Sequence, residues 1–290
     1  MHFKLGRALF SKEKQGYLWV VFGVCLYSFS DAIMKYFMPL YGVHQVTFLR
    51  TVFRFMPFVL VAFHGRINPF RSDRKKENIF RSLLASAGTY FFMCAYGYSP
   101  MTDVFVVGLT TAIFVIPLSV WILKEKFCLR NVLAVLLGFG GIWLAFRPGS
   151  GIFQLGIMFA LMGAIISAIN QVIIKRLTST ESELTIIFYH HLSLALISAC
   201  IGFETFSPIS GEHALPLFLG GAIGAAAQYS IIHAFKLSTS SGLASATYFM
   251  LVPNTLIDFF LYDKTPDIYI ILGLILILMG NLCAFLRNQP

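Results

Sequence analysis

Followed along the chain, apolar residues gather into long runs separated by short polar spacers. Crossing about 30 Å of hydrocarbon takes about 20 helical residues at about 1.5 Å each. Ten runs approach that length: 17–38, 44–64, 80–98, 104–123, 131–146, 155–175, 185–203, 214–235, 242–261 and 268–286. The spacers are too short for a soluble domain, and the strict apolar-out alternation of a membrane barrel is absent. The pattern predicts an all-α integral membrane protein, a bundle of ten transmembrane helices.

Composition agrees: of 290 residues, 57% are hydrophobic and only 12% charged, well outside the range of soluble domains. The net charge of +9 is sorted by loop. Lys4, Arg7, Lys12 and Lys14 precede the first run, and Arg66, Arg71, Arg74, Lys75, Lys76 and Arg81 follow the second. Lys124, Lys126, Arg130, Lys175, Arg176, Lys236 and Arg287 continue the series on the same side. The opposite loops hold only Arg147 and Lys264 among several acids, which predicts cytoplasmic termini and an N-terminal arm, 1–15, inside the cell. The basic charge therefore implies contact with anionic lipid head groups and no nucleic acid. The first run is too long for a cleaved signal segment. Cys25, Cys94, Cys128, Cys200 and Cys283 are scattered without metal or disulfide spacing.

Shifting the chain by about 140 positions sets Gly16 on Gly156, Gly23 on Gly163, Lys35 on Lys175 and Phe48 on Phe188. "IPLSVWILKEK" from Ile116 faces "VPNTLIDFFLYDK" from Val252, and "GIWLAF" faces "GNLCAF". The repeat unit is five helices, 16–147 and 154–286, and an odd number of spans turns the second unit upside down. Such inverted repeats build carriers with a substrate site between the halves near the bilayer midplane.

The doubled five-helix plan, Lys124-Glu125 after Pro117, and "GFGGIWLAFRPG" resemble the EamA repeats of the drug/metabolite transporter superfamily. Within it, "SDAIMKYF", "TFLRTVFRF" and "AFKLSTSSGLASATYFMLV" are similar to the S-adenosylmethionine uptake carriers of obligate intracellular bacteria. The resemblance implies a multi-pass protein of the cell inner membrane that carries a small molecule.

Charges within the runs sharpen the picture, because an Asp, Lys or Arg at mid-helix costs about 2.5 to 3.5 kcal/mol to insert and so faces a protein interior or a water-filled cavity. Asp31 and Lys35 lie one turn apart, as do Arg50 and Arg54 on the next helix. Two readings are open. In one, Asp31 clamps Arg50 or Arg54 to lock two helices while Lys35 reaches outward. In the other, Asp31 receives an amine or sulfonium and an arginine holds a carboxylate, which suits a zwitterionic or cationic substrate. Asn170 and Gln171 replace Ser30 and Asp31 in the second half, while Lys175 repeats Lys35 and so points to an architectural lysine. Gln228 and the aromatics Tyr90, Phe114 and Tyr248 are further cavity candidates. Pro117 and Pro253 occupy matching places in the repeats and are candidates for a gating bend. His190 and His191 are expected to make interfacial hydrogen bonds, and Asp258 to contact solvent or a neighbouring helix.

With no phosphate-binding loop, metal cluster or nucleophile triad, the chain reads as a secondary transporter of a small polar metabolite working by alternating access, not an enzyme, with no cofactor and no metal. S-adenosylmethionine uptake competes with export of amino acids or drug-like metabolites. A membrane receptor or scaffold without transport is the rival of another class.

Overall fold

A computed structural model describes residues 12–64, 68–98, 104, 107–146, 155–262 and 268–286. Apolar runs that cannot bond their backbone to water close their hydrogen bonds within helices, and every element among the described residues is helical. Helix α1 is Lys12–His64, and it is followed by α2 (Lys75–Tyr98), α3 (Thr111–Leu123), α4 (Leu129–Phe146) and α5 (Leu155–Leu177). Then come α6 (Glu183–Gly202), α7 (Gly211–Leu237), the short α8 (Ser240–Leu243), α9 (Leu251–Tyr262) and α10 (Ile268–Leu286).

Two of these elements depart from the expected spans. The first two runs form one helical stretch broken only at Gly42, whose φ of 73° and ψ of 161° turn the chain back on itself. Its two arms, 12–41 and 43–64, pack through Met34, Phe37, Val46 and Leu49. The run 242–261 is not one α-helix: α8 passes into a 3-10 stretch, Ala244–Met250, before α9 begins. The stretch opens on Ala244, Ser245, Ala246 and Thr247, and 3-10 geometry beyond three or four residues is uncommon and often marks a hinge. By length and composition, Lys12–Met34, Leu155–Leu177, Glu183–Gly202 and Gly211–Leu237 can cross a membrane, and Val107–Leu123, Leu129–Leu144 and Ile268–Gly280 are shorter apolar helices.

The bundle exposes large apolar side chains and buries several polar ones. Trp121 is 79% exposed and Phe260 73%, whereas Ser30, Arg54, Arg81 and His191 are buried. Apolar surface of this extent outside a polar interior fits a lipid environment.

Helix pairing respects the repeat. The first arm of α1 packs on α7 as α5 packs on α2, and α4 packs on α10. Exchanging the halves maps the first two pairings onto each other and the third onto itself. Glycine allows this closeness: a Cβ on Gly23 would lie 3.1 Å from the Ala227 carbonyl oxygen, and one on Gly141 would lie 2.6 Å from that of Gly273.

Hydrogen-bonded latches join the halves at both ends. At one end Gln45 Nε2 donates to the Ser207 carbonyl at 2.6 Å, its Oε1 accepts from Ser207 N at 2.9 Å, and Tyr41 meets His213 at 2.7 Å. At the other, Glu181 accepts from Ser72 Oγ at 2.9 Å and from Arg74 N at 2.7 Å, and Tyr189 donates to the Phe70 carbonyl at 3.2 Å. Each latch ties the turn between the first two helices of one half to the connection between the second and third helices of the other.

Gly42 tests this architecture. A Cβ there meets nothing within 4 Å, so Gly42→Ala acts through its positive φ alone. It is expected to destabilise the protein by about 1 kcal/mol, read as a lower denaturation midpoint in detergent. An unchanged or raised midpoint would contradict the observed turn.

Candidate functional site

Asp31 and Arg50 would stand about 28 Å apart on an unbroken helix. Because the chain reverses at Gly42, Arg50 Nη2 reaches Asp31 Oδ1 at 2.6 Å, and Arg54 Nη2 approaches the same oxygen at 3.5 Å. Both arginines thus converge on one carboxylate, where the sequence left the choice between them open. Arg54 also donates to Ser30 Oγ at 3.0 Å, and Ser30 in turn donates to the Gly220 carbonyl at 2.8 Å, tying the pair to α7. The Arg54 guanidinium lies 4.8 Å from the centroid of the Tyr27 ring, a cation–π contact strengthened by burial. Tyr27 donates to Gln228 Oε1, which brings Gln228 into the cluster.

The environments of the partners differ. Arg54 is 6% exposed, whereas 44% of the Asp31 side chain is accessible. Asp31 is thus held by arginine while a large part of its side chain stays accessible. Gly224 makes the arrangement fit: a Cβ there would sit 2.2 Å from Arg54 Nε. The small-residue face of α7, whose sequence reads as ordinary packing, is the bed on which this guanidinium lies.

A second polar cluster forms where α2 of the first half meets α5 and α6 of the second. Arg81, counted from sequence among the loop charges, lies in α2 at 1% exposure. Its Nη2 donates to the Ile186 carbonyl at 2.7 Å and to Ser82 Oγ at 3.1 Å, and Nη1 reaches Asn170 Oδ1 at 3.5 Å. Asn170 is therefore brought to an arginine much as Ser30 is. Ser86 meets Ser193 at 3.1 Å, and Tyr90 donates to Ser198 Oγ at the same distance. Asn78, Ser82 and Ser86 recur every fourth residue with Arg81 beside them, a polar stripe that could have marked this helix face as inward.

His190 and His191 depart from the expected interfacial hydrogen bonds. Both ring nitrogens of His191, and Nδ1 of His190, are buried without a hydrogen-bond partner among the described residues. His191 stacks on Phe58 with centroids 6.1 Å apart and lies within electrostatic reach of Arg50, Arg54 and Arg81.

The remaining candidates are distributed elsewhere. Gln171 is half-buried in α5. Phe114 and the fully buried Tyr248 belong to one apolar cluster between α3, α4 and α10, and a Cβ on Gly138 would come within 2.1 Å of the Tyr248 ring. Lys175 donates to the Phe235 carbonyl at 2.6 Å, stitching the end of α5 to the end of α7. Pro117 lies inside α3 and lines an exposed apolar groove with Trp121 and Phe127. Pro253 falls just inside α9, where the 3-10 stretch passes into the α-helix. The side chains of Lys35 and Asp258 lie outside the described residues.

The arrangement offers an open carboxylate for a cation and buried guanidinium groups for an anion. No group of three or more His, Cys, Asp or Glu side chains suited to a metal occurs among the described residues.

The pattern of the EamA-like transporter family matches residues 14–147 and again 154–286. A protein named S-adenosylmethionine uptake transporter from Rickettsia prowazekii is 26% identical over 271 residues, 92% of this chain and 91% of that protein. A riboflavin transporter from Vibrio cholerae is 21% identical over 272 residues, again 92% and 91% of the two chains. A solved crystal structure superposes with a TM-score of 0.81 at 16% identity, covering 94% of this chain and 97% of the other.

Asp31→Asn leaves two guanidinium groups without their carboxylate. Allowing for the exposure of Asp31, the expected loss is about 1–3 kcal/mol in denaturant titrations. Adding Arg54→Gln to Asp31→Asn is expected to cost less than the two single losses combined, because it removes the charge left unpaired. Strictly additive losses would contradict the pairing.

Proposed function

The chain belongs to the EamA-like transporter family, and from that premise we propose that it is a secondary carrier of a small zwitterionic or cationic metabolite. The metabolite proposed is S-adenosylmethionine, taken up by alternating access. The observation that carries this reading is the Asp31 carboxylate, held at 2.6 Å by Arg50 yet 44% accessible. A substrate ammonium or sulfonium can approach the accessible part of that side chain without first breaking the anchor. The pairing with arginine lowers the cost of keeping the acid charged in an empty site, which favours the moderate, reversible binding that a carrier needs. The full-length likeness to the Rickettsia prowazekii transporter supports this substrate over riboflavin, which carries no comparable cation.

The proposed architecture is ten membrane-crossing segments in two inverted five-helix repeats, 16–147 and 154–286, with both termini cytoplasmic in the inner membrane. The loop charges and the exchange-symmetric helix pairing support it. Inversion lets the two latches open in turn, one to each side.

Counterflow in proteoliposomes tests the function. Vesicles preloaded with unlabelled S-adenosylmethionine are expected to accumulate the labelled compound, with unlabelled amino acids and riboflavin competing weakly. Folded Asp31→Asn is expected to bind it at least tenfold more weakly, as loss of a charged hydrogen bond implies. If labelled S-adenosylmethionine neither accumulates nor exchanges, the substrate assignment fails. If no member of a broad metabolite panel moves, the carrier reading fails with it.

A further inference from the structure

Two arginines of the interior share a carboxylate and one has none, while Nε of both Arg54 and Arg81 is buried without a partner among the described residues. Arg50 and Arg54 share Asp31. None of the ion pairs among the described residues includes Arg81, although Arg81 is the more deeply buried, at 1% exposure. Its Nε has no hydrogen-bond partner among the described residues, and Nη1 has only the 3.5 Å contact with Asn170. An isolated charge removed from water carries a penalty of several kcal/mol unless another charge or a full set of hydrogen bonds offsets it.

The repeat explains how this imbalance arises. Ser30 is reached by Arg54 and followed by Asp31, while Asn170 is reached by Arg81 and followed by Gln171. An arginine again meets a polar side chain at Asn170, but it is Arg81 from α2 of the first half, and the second half supplies no acid beside it. On α6, Arg81 donates to the Ile186 carbonyl one turn before His190, and the next residue, His191, stacks on Phe58 one turn beyond Arg54, so the two clusters adjoin through α6. Among the described residues, they hold three guanidinium groups, Arg50, Arg54 and Arg81, and a single carboxylate close to any of them.

We infer that Arg81 is the anion anchor of the transport site. It receives the carboxylate of the substrate through Nε and Nη1, while Asp31 receives the substrate cation. The inference rests on the carrier reading and refines it, because it assigns the carboxylate to Arg81 and leaves Arg50 and Arg54 to hold Asp31. The recognised class is a molecule bearing both a cation and a carboxylate. Asn170 is a positioning residue, steadying the guanidinium until the carboxylate replaces its long contact.

The test uses matched probes differing only at the carboxyl group: S-adenosylmethionine against decarboxylated S-adenosylmethionine, and methionine against methioninamide. For the purified full-length carrier, the concentration of each probe giving half-maximal thermal stabilisation is measured. The wild-type protein is expected to favour the carboxylate member of at least one pair by about tenfold or more. Arg81→Gln is expected to weaken only the carboxylate member and bring the ratio within about twofold. Arg81→Lys keeps the charge without the planar fork and should fall between; it carries the test if Arg81→Gln does not fold. Equal weakening of both members, an unchanged ratio in the folded variants, or no discrimination by the wild type in any pair would overturn the inference. If the methionine pair discriminates through Arg81 while the S-adenosylmethionine pair is inert, the anchor stands and the proposed substrate is wrong.

Discussion

The interior of this bundle depends on one carboxylate. Arg54 is almost completely buried, and a guanidinium in a bilayer-spanning protein persists only where an opposite charge and directed acceptors offset its desolvation. Asp31 supplies the charge, Ser30 an acceptor, and the Tyr27 ring a face. The other features follow from that need. The chain must reverse at Gly42 so that the second arm of α1 can bring its arginines to Asp31. Gly224 must lack a side chain so that the guanidinium can lie against α7. Structural clamp and substrate contact are therefore not rival roles for Asp31, since one oxygen anchors both arginines while much of the side chain stays accessible.

The second half shows what duplication leaves once the acid is gone. Its helices pair as those of the first half do, and its latch at Glu181 answers the latch at Gln45. Its polar lining differs: Asn170, His190 and His191 bring no carboxylate, and the arginine that meets Asn170 is Arg81 from the first half. A symmetric scaffold with a chemically asymmetric lining reconciles two demands on a carrier. Access must be exchangeable between the two sides, whereas the substrate has distinct ends that need distinct partners.

Much of the helical layout could be read directly from apolar run length, because the bilayer leaves so few alternatives for the backbone. The departures have local causes. One glycine at positive φ sufficed where the sequence suggested a loop between two helices, and residues 244–250 wound into 3-10 geometry inside an apolar run. At the site, Asp31, Arg50 and Arg54 were legible because charge stands out against an apolar run. Arg81 was not, since it follows a cluster of loop charges and only its place on the Asn78, Ser82, Ser86 stripe distinguishes it. The Tyr248 ring is closed into an apolar cluster with Phe114, against Gly138 of α4.

The central claim is that two equivalent latches close one polar interior in turn. Distances between paired spin labels test it most directly, with one pair at Leu40 and Ile209 beside the Gln45 latch and another at Arg71 and Ser179 beside the Glu181 latch. The native cysteines are replaced first, and the distances are measured in lipid with and without saturating S-adenosylmethionine. The account predicts that substrate shifts the two distance distributions in opposite directions, one pair closing as the other opens. Both pairs widening together, or neither responding to a substrate that the protein demonstrably transports, would contradict it.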